Sequence, residues 1–270
     1  MVRFGKLRAG LLQSLLVSFV LTGVTLISTT PESLAQPIKY DGTKEYITVS
    51  LEHAFSSLLP AVKNMTAFNF TGEIPVVVHK VGTPGFMTWT QISDAKNAGF
   101  GIMSHTETHL VFSSTTPNST VHYEVVQSKI DLQNHGFNVT GFGPANDVFT
   151  PYAKQLMDAN YGWTRIEPAK PNTLYSLTHD GLRYGMPLAE HHYGVGNPPA
   201  TLNNFTQIKN IIDSAVQHHT WVVFDFHQLD NTGIGYHSSP QLFWKVLKYI
   251  KQKHDAAQIL VGSIDDGLAK

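Results

Sequence analysis

Short apolar runs alternate with amphipathic stretches along most of the chain. The continuous apolar runs predict buried strands; they cover 46–51, 74–79, 101–104, 137–142, 161–166, 182–188, 220–227 and 258–264. Stretches with a helical period separate them and predict helices; these cover 56–65, 88–98, 118–135, 150–160, 201–219 and 239–254. Thr88 and Gln91 form a possible capping box at the start of the second helix.

Strands that alternate with helices are typical of parallel βαβ units. Seven or eight units within about 220 residues predict a single α/β domain over 45–270, built as a distorted (β/α) barrel of about seven parallel strands. An open doubly wound sheet is the rival arrangement. No G-x-G-x-x-G motif follows a strand, so the pattern gives no support to a dinucleotide site.

The first 44 residues differ from this pattern. Arg3, Lys6 and Arg8 precede an apolar run over 11–27, and Ser33-Leu34-Ala35 follows it. This arrangement is typical of a secretory signal peptide cleaved after Ala35, with residues 36–44 as a linker. The alternative is an uncleaved anchor helix, because the run approaches the length of a membrane span. Either case predicts a secreted or cell-surface location with no second span.

Composition narrows the classes of partner. The net charge is -1, which gives no basic field to attract nucleic acid. Only 14% of the residues are charged, and a polar, weakly charged surface suits a neutral partner such as a glycan. The chain has no cysteine, which excludes disulfides, thiolate metal sites and cysteine nucleophiles. The oligomeric state is left open.

Titratable residues gather at the carboxyl ends of the predicted strands, where parallel barrels place their active sites. They are Glu52-His53, His105 with His109, Asp225 with His227, and Asp265-Asp266. His105 and His109 are four residues apart, so two imidazoles can converge on a catalytic metal ion with a further ligand. The competing interpretation is a pair of solvated loop histidines.

The segment 89–110, WTQISDAKNAGFGIMSHTETHL, resembles the metal-binding block of the polysaccharide deacetylases, the NodB-homology family. The resemblance extends in order of elements over about 45–265. It implies a distorted (β/α) barrel and a metal-dependent hydrolase that removes acetyl groups from a glycan substrate. It also implies a divalent metal, expected to be Zn, with Co or Ni as alternatives.

The first block of the family departs from its usual T-F-D-D-G form. The matching residues are Ser50-Leu51-Glu52-His53-Ala54. The resemblance places Glu52 at the position of the base and His53 at that of a metal ligand beside His105 and His109. Glutamate and histidine can both serve in those roles. The alternative is that the block has decayed and the protein binds a glycan without catalysis.

The third and last blocks complete the implied site. The third matches 142–146, with Gly143 in place of an arginine that tunes the base, so that role is expected to be absent. Pro144 and a backbone N–H near Asn146 are candidates for the substrate and oxyanion contacts. The last block, 221–227, ends in His227, the implied general acid. Asp225 either orients His227 or pairs with an arginine such as Arg165.

Two alternatives remain at this point. A hydrolase of another non-peptide C–N bond, such as a cyclic amide, fits the same site less well because the chain is expected to be exported.

Asp265 and Asp266, followed by Gly267, resemble the missing D-D-G block. They either approach the site from the last strand or form a surface turn.

Overall fold

A computed structural model describes residues 40–166, 189–195 (backbone only), 202–233 and 236–268. The strands are β1 (Glu45–Leu51), β2 (Glu73–Val76), β3 (Gly101–Ser104), β4 (Gly141–Phe142), β5 (Trp163–Thr164), β6 (Ala189–Val195), β7 (Trp221–Phe226), β8 (Gln228–Leu229), β9 (His237–Ser238) and β10 (Ile259–Val261). The helices are α1 (Leu59–Ala67), α2 (Trp89–Asn97), α3 (Asn118–His122), α4 (Ser128–Asn134), α5 (Pro151–Asn160), α6 (Phe205–His218), α7 (Pro240–Asp255) and α8 (Ile264–Leu268). A π-helical turn, Tyr123–Gln127, joins α3 to α4.

Eight parallel strands form one curled sheet in the order β5-β4-β3-β2-β1-β7-β6, and β10 also pairs with β1. β1 is the central strand: its first half pairs with β10, and Ser50 near its end pairs with Glu73 of β2. β8 and β9 form a separate two-stranded unit. The predicted (β/α) barrel of parallel strands is therefore confirmed.

Both faces of the sheet are buried, as a parallel barrel requires. Ile47, Val49 and Leu51 of β1 pack into the large core between sheet and helices. Tyr46 belongs instead to a smaller cluster that includes Met103 and Trp221. Because strand residues alternate between faces, Thr48, Ser50 and Glu52 continue the Tyr46 face toward the carboxyl end of β1. The interior thus changes from aromatic to polar along the strand.

Three predicted strands are shorter than expected: β2 and β10 end early, and β4 begins late, at Gly141. β2 stops at Val76 because a short 3₁₀ turn, Val78–Lys80, turns its N–H groups toward the carbonyls of Thr106 and Glu107. β4 has two residues, and the Phe137 N–H donates to the Leu132 carbonyl of the preceding helix. β10 ends at Val261, after which the chain forms α8. The strand predicted over 182–188 lies outside the described residues.

The aspartates after β10 are neither at the histidine end of the barrel nor in a surface turn. Asp265 accepts hydrogen bonds from Thr140 Oγ1 at 2.6 Å and Trp163 Nε1 at 2.7 Å, both beside the amino ends of β4 and β5. Glu73, at the start of β2, accepts from the Ile264 N–H. α8 therefore covers the amino-terminal end of the barrel, and the prediction that these aspartates lie at the active-site end or on the surface is wrong.

Candidate metal centre

Three histidine side chains meet at the carboxyl end of the sheet. His53 follows β1, His105 follows β3, and His109 lies four residues further on. His53 Nε2 lies 3.0 Å from His109 Nε2, which lies 3.1 Å from His105 Nε2. Among the described residues these three form the one histidine, cysteine or carboxylate group able to hold a metal ion.

The local backbone is strained where these side chains converge. His53 has φ 59°, His109 φ 70° and Thr106 φ 67°. Left-handed conformations are uncommon for residues with a Cβ and cluster at functional sites. The His53 turn starts at the end of β1, and the Thr106 side chain accepts a hydrogen bond from the His109 N–H at 2.8 Å. These left-handed turns direct the imidazoles of His53, His105 and His109 toward one another.

The donor set fits a divalent cation. His105 Nδ1 lies 2.8 Å from the Gly143 carbonyl, so Nδ1 carries the proton and Nε2 presents its lone pair. Nitrogen ligands on one tetrahedral zinc lie roughly 3.3 Å apart, close to the separations found here. A cation satisfies all three lone pairs at once, which linear hydrogen bonds among neutral rings cannot do.

Burial keeps the three rings neutral. It lowers the pKa of His105 to about 3, although the charge of Glu52 opposes the shift. Burial likewise lowers the pKa of His109, and it lowers that of His53 well below its ordinary value with repulsion from neighbouring histidines adding to the effect. Metal ligation requires the unprotonated ring, so the site is in its ligating form at neutral pH.

Glu52 lies next to the histidines but inside an ion-pair network. It is 1% exposed. Arg165 Nη1 lies 2.5 Å from Glu52 Oε1 and Nη2 3.0 Å from Oε2, and Ser50 Oγ also donates to Oε1. Burial opposes ionisation, but the charge and hydrogen bonds of Arg165 hold the pKa of Glu52 well below its ordinary value. The Asp225 carboxyl also hydrogen-bonds Glu52.

Arg165 contacts Glu52, the predicted base, contrary to the expectation that no arginine would do so. It follows β5, its N–H donates to the Phe142 carbonyl, and its Nη1 also reaches Asp225 Oδ1 at 3.1 Å. A Cβ at Gly143 would lie 2.9 Å from Met103 Cε and 3.2 Å from His105 Nδ1. A side chain at 143 would therefore press on the His105 ring, and the arginine enters from the adjacent strand instead.

Asp225 therefore pairs with Arg165, one of the two roles left open by the sequence. Burial, with the nearby Glu52 carboxylate, raises the pKa of Asp225 well above its ordinary value despite the attraction of Arg165. An orienting role toward His227 stays a prediction.

His227 flanks the cluster without joining it. Its ring centroid lies 5.0 Å from that of His53 and 5.1 Å from that of Tyr236, which is exposed. The predicted oxyanion loop lies after β4: Pro144 is buried, and Asn146 is exposed with φ 52°. Pro144 has no N–H and cannot donate to an oxyanion, so a donor must come from a neighbouring peptide. The oxyanion role of Asn146 stays a prediction.

No model of a known protein family and no curated protein matches this sequence. Solved structures share its fold. A mutant CE4 family pseudoenzyme with restored enzymatic activity aligns at TM-score 0.56 and 11% identity, over 84% of this chain and 69% of that one. A T48 deacetylase with substrate aligns at 0.53 and 11%, over 84% and 92%. A family 4 acetyl xylan esterase from Clostridium thermocellum, in complex with a cobalt ion, aligns at 0.51 and 12%, over 82% and 89%.

At these identities the likeness establishes the fold: a curled (β/α) barrel of the CE4 deacetylase type. The match to a Streptococcus pyogenes deacetylase spans only 52% of that chain. Within the described residues, no helix has the length and apolar character needed to cross a membrane.

Proposed function

We propose that the chain is a metal-dependent deacetylase that removes acetyl groups from an N-acetylated polysaccharide or a related glycan, outside the cytoplasm. The observation that carries the proposal is the convergence of the His53, His105 and His109 Nε2 atoms beside half-buried His227. These histidines would hold a divalent cation, with Zn expected and Co or Ni as alternatives. The bound cation supplies Lewis acidity to the acetyl carbonyl and to the attacking water.

The chain's own residues divide the proton transfers between them. Glu52 is ionised at neutral pH and directly precedes His53, so it is the proposed acceptor of the proton from water. His227, whose ring centroid lies 5.0 Å from that of His53, is the proposed donor to the leaving amine. A backbone N–H near Asn146 is the proposed oxyanion donor.

One observation favours a second candidate, a glycan-binding protein without catalysis. Glu52 is tied to Arg165 by two hydrogen bonds, and a carboxylate held in this way is a weak base. A cation held by His53, His105 and His109 would compensate, because its Lewis acidity would make the water easier to deprotonate. Catalysis therefore remains the function that the geometry supports better.

The test is acetate release from chitin oligomers and peptidoglycan fragments with added Zn, Co or Ni, alongside metal analysis of the purified protein. We expect His53→Ala to lose both metal and activity, and His227→Ala to keep the metal and lose activity. His122→Ala alters an exposed histidine away from the cluster and is the matched control. Undiminished metal content in His53→Ala would contradict the ligand role. Metal binding without acetate release from any substrate would favour the binding protein.

A further inference from the structure

A π-helical turn interrupts the helix that packs beside the segment 105–109, which carries His105 and His109 and is called the histidine loop below. The helical pattern continues without a break over 118–135, but the structure inserts Tyr123–Gln127 as a π segment between α3 and α4. Such insertions are uncommon and occur frequently at functional sites. Two side chains stabilise the π segment. Tyr161 Oη donates to the Val125 carbonyl at 2.8 Å, and Ser128 Oγ donates to the Glu124 carbonyl at 2.8 Å.

The π segment directs Glu124 into the protein. This carboxylate is 2% exposed. Its two oxygens accept hydrogen bonds from the backbone N–H of Thr108 at 2.8 Å and from Thr108 Oγ1 at 2.5 Å. Burying a charged group is costly unless hydrogen bonds compensate for the lost water. Both oxygens are used on one residue, which immediately precedes His109.

The two halves of the histidine loop are held by different elements. The first half is fixed to the turn after β2: the His105 N–H donates to the Val76 carbonyl at 2.9 Å, and the Glu107 carbonyl accepts from the His79 N–H at 2.8 Å. The second half, with His109 at φ 70°, is held by Glu124 through Thr108 and by the Thr106 side chain. His109 Nε2 contacts both other ligand nitrogens, so its position decides whether the three converge.

We infer that Glu124 is a positioning residue of the metal centre, which clamps Thr108 so that the strained His109 presents Nε2 to His53 and His105. The inference rests on the metal site of the proposed function. The role assigned to Glu124 is carried by its two hydrogen bonds to Thr108. Glutamine can make both contacts, since its amide oxygen accepts from the Thr108 N–H and its amide nitrogen donates to the Thr108 hydroxyl.

Cobalt titration of the purified protein, followed by its visible spectrum, tests this. Outer contacts that orient metal-ligating side chains are typically worth 10–100-fold in metal affinity, so we expect Glu124→Ala to bind Co²⁺ at least about 10-fold more weakly, with altered bands. Glu124→Gln should restore both affinity and spectrum. Asp131→Asn is the matched control, because Asp131 lies on the same helix and accepts from Gln127 within it. Wild-type affinity in Glu124→Ala, or failure of Glu124→Gln to restore binding, would overturn the inference.

A second measurement separates this inference from the proposed function. Ring ¹⁵N resonances of the histidines are recorded in the metal-free protein for the same variants. Glu124→Ala should shift or broaden the His109 signals, and Glu124→Gln and Asp131→Asn should leave them in place. If wild-type protein binds no cobalt, the proposed metal centre fails, and the His109 signals still decide the role of Glu124. Unchanged His109 signals in Glu124→Ala would refute it.

Discussion

Arg165 connects two buried carboxyl groups, those of Glu52 and Asp225, in one hydrogen-bonded network. Ser50 and Asp225 are register neighbours on β1 and β7, and Glu52 follows two residues after Ser50 on the same face. A guanidinium is planar and always charged, so it can bridge both carboxylates at once. Arg165 therefore links Glu52, the proposed base, to Asp225 of the block 221–227.

Replacing Arg165 by methionine should destabilise the protein by about 3–5 kcal/mol, because the Glu52 carboxylate would be left buried without its counter-charge and Asp225 would lose a hydrogen-bond donor. Arg165→Lys keeps the charge but not the forked geometry and should lose less. Urea unfolding at pH 7 measures both. The control is Lys154→Ala, whose partly exposed pair with Asp158 should contribute below about 1 kcal/mol. Equal losses for Arg165→Met and Lys154→Ala would contradict the role of the network.

Gly143 is the second residue on which the site depends. An alanine Cβ there would lie 2.9 Å from Met103 Cε and 3.2 Å from His105 Nδ1, so Gly143→Ala should displace the ring that the Gly143 carbonyl orients. We expect a loss of about 10-fold or more in Co²⁺ affinity. Gly162→Ala is the matched control, since its Cβ would meet only Thr140 O at 3.6 Å. An unchanged cobalt isotherm for Gly143→Ala would disprove this constraint.

At the scale of elements, boundaries with local signals were predicted well and boundaries set by tertiary contacts were not. Thr88 and Thr150 accept hydrogen bonds from the third backbone N–H of their helices, as the capping sequences indicate. The π turn and β6 carry no such signal. β6, AEHHYGV, lacks the apolar alternation of a strand and forms against β7.

The capping box of α2 gives an element-scale prediction. Thr88 Oγ1 accepts from the Gln91 N–H at 3.3 Å, and Gln91 Oε1 accepts from the Thr88 N–H at 2.9 Å. Thr88→Ala should lower the free energy of unfolding by about 1 kcal/mol, because the first-turn N–H loses its acceptor. Thr90 is exposed at the second position of the same helix, so Thr90→Ala should cost less than about 0.5 kcal/mol. Thermal and urea unfolding compare the two, and equal losses would argue against the cap.

At the scale of the whole molecule, the sequence places the chemistry at one end of the barrel because parallel strands share a carboxyl edge. That argument brought Glu52, His53, His105, His109, Asp225 and His227 together from distant positions. It fails for Asp265 and Asp266, since the length of β10 depends on its pairing with only the first half of β1. Arg165 was recognised only as a possible partner of Asp225, because no spacing rule connects it to Glu52.

Glu73, buried at the covered amino-terminal end of the barrel, is expected to make the stability of the protein depend on pH. Glu73 is fully buried, with Oε2 accepting from the Ile264 N–H. Burial, with repulsion from Asp265 adding to it, raises the pKa of Glu73 from its ordinary 4.5 to about 8. Between these values the folded chain retains a proton that the unfolded chain has released. The contribution of Glu73 is therefore complete below pH 4.5 and is lost as the pH rises through 8.

Glu73→Gln removes this dependence, because its amide can still accept from the Ile264 N–H and stays neutral at every pH. The difference in unfolding free energy between Glu73→Gln and wild type should grow in favour of the variant from pH 5 to pH 8.5, by on the order of 2–4 kcal/mol. Taking the difference cancels the histidines, which titrate in both proteins. Asp94→Asn, which neutralises an exposed carboxylate on α2, is the matched control. A flat curve for Glu73→Gln would mean that Glu73 ionises in the folded protein as it does in the unfolded chain, and that α8 covers the barrel without a protonated carboxyl beneath it.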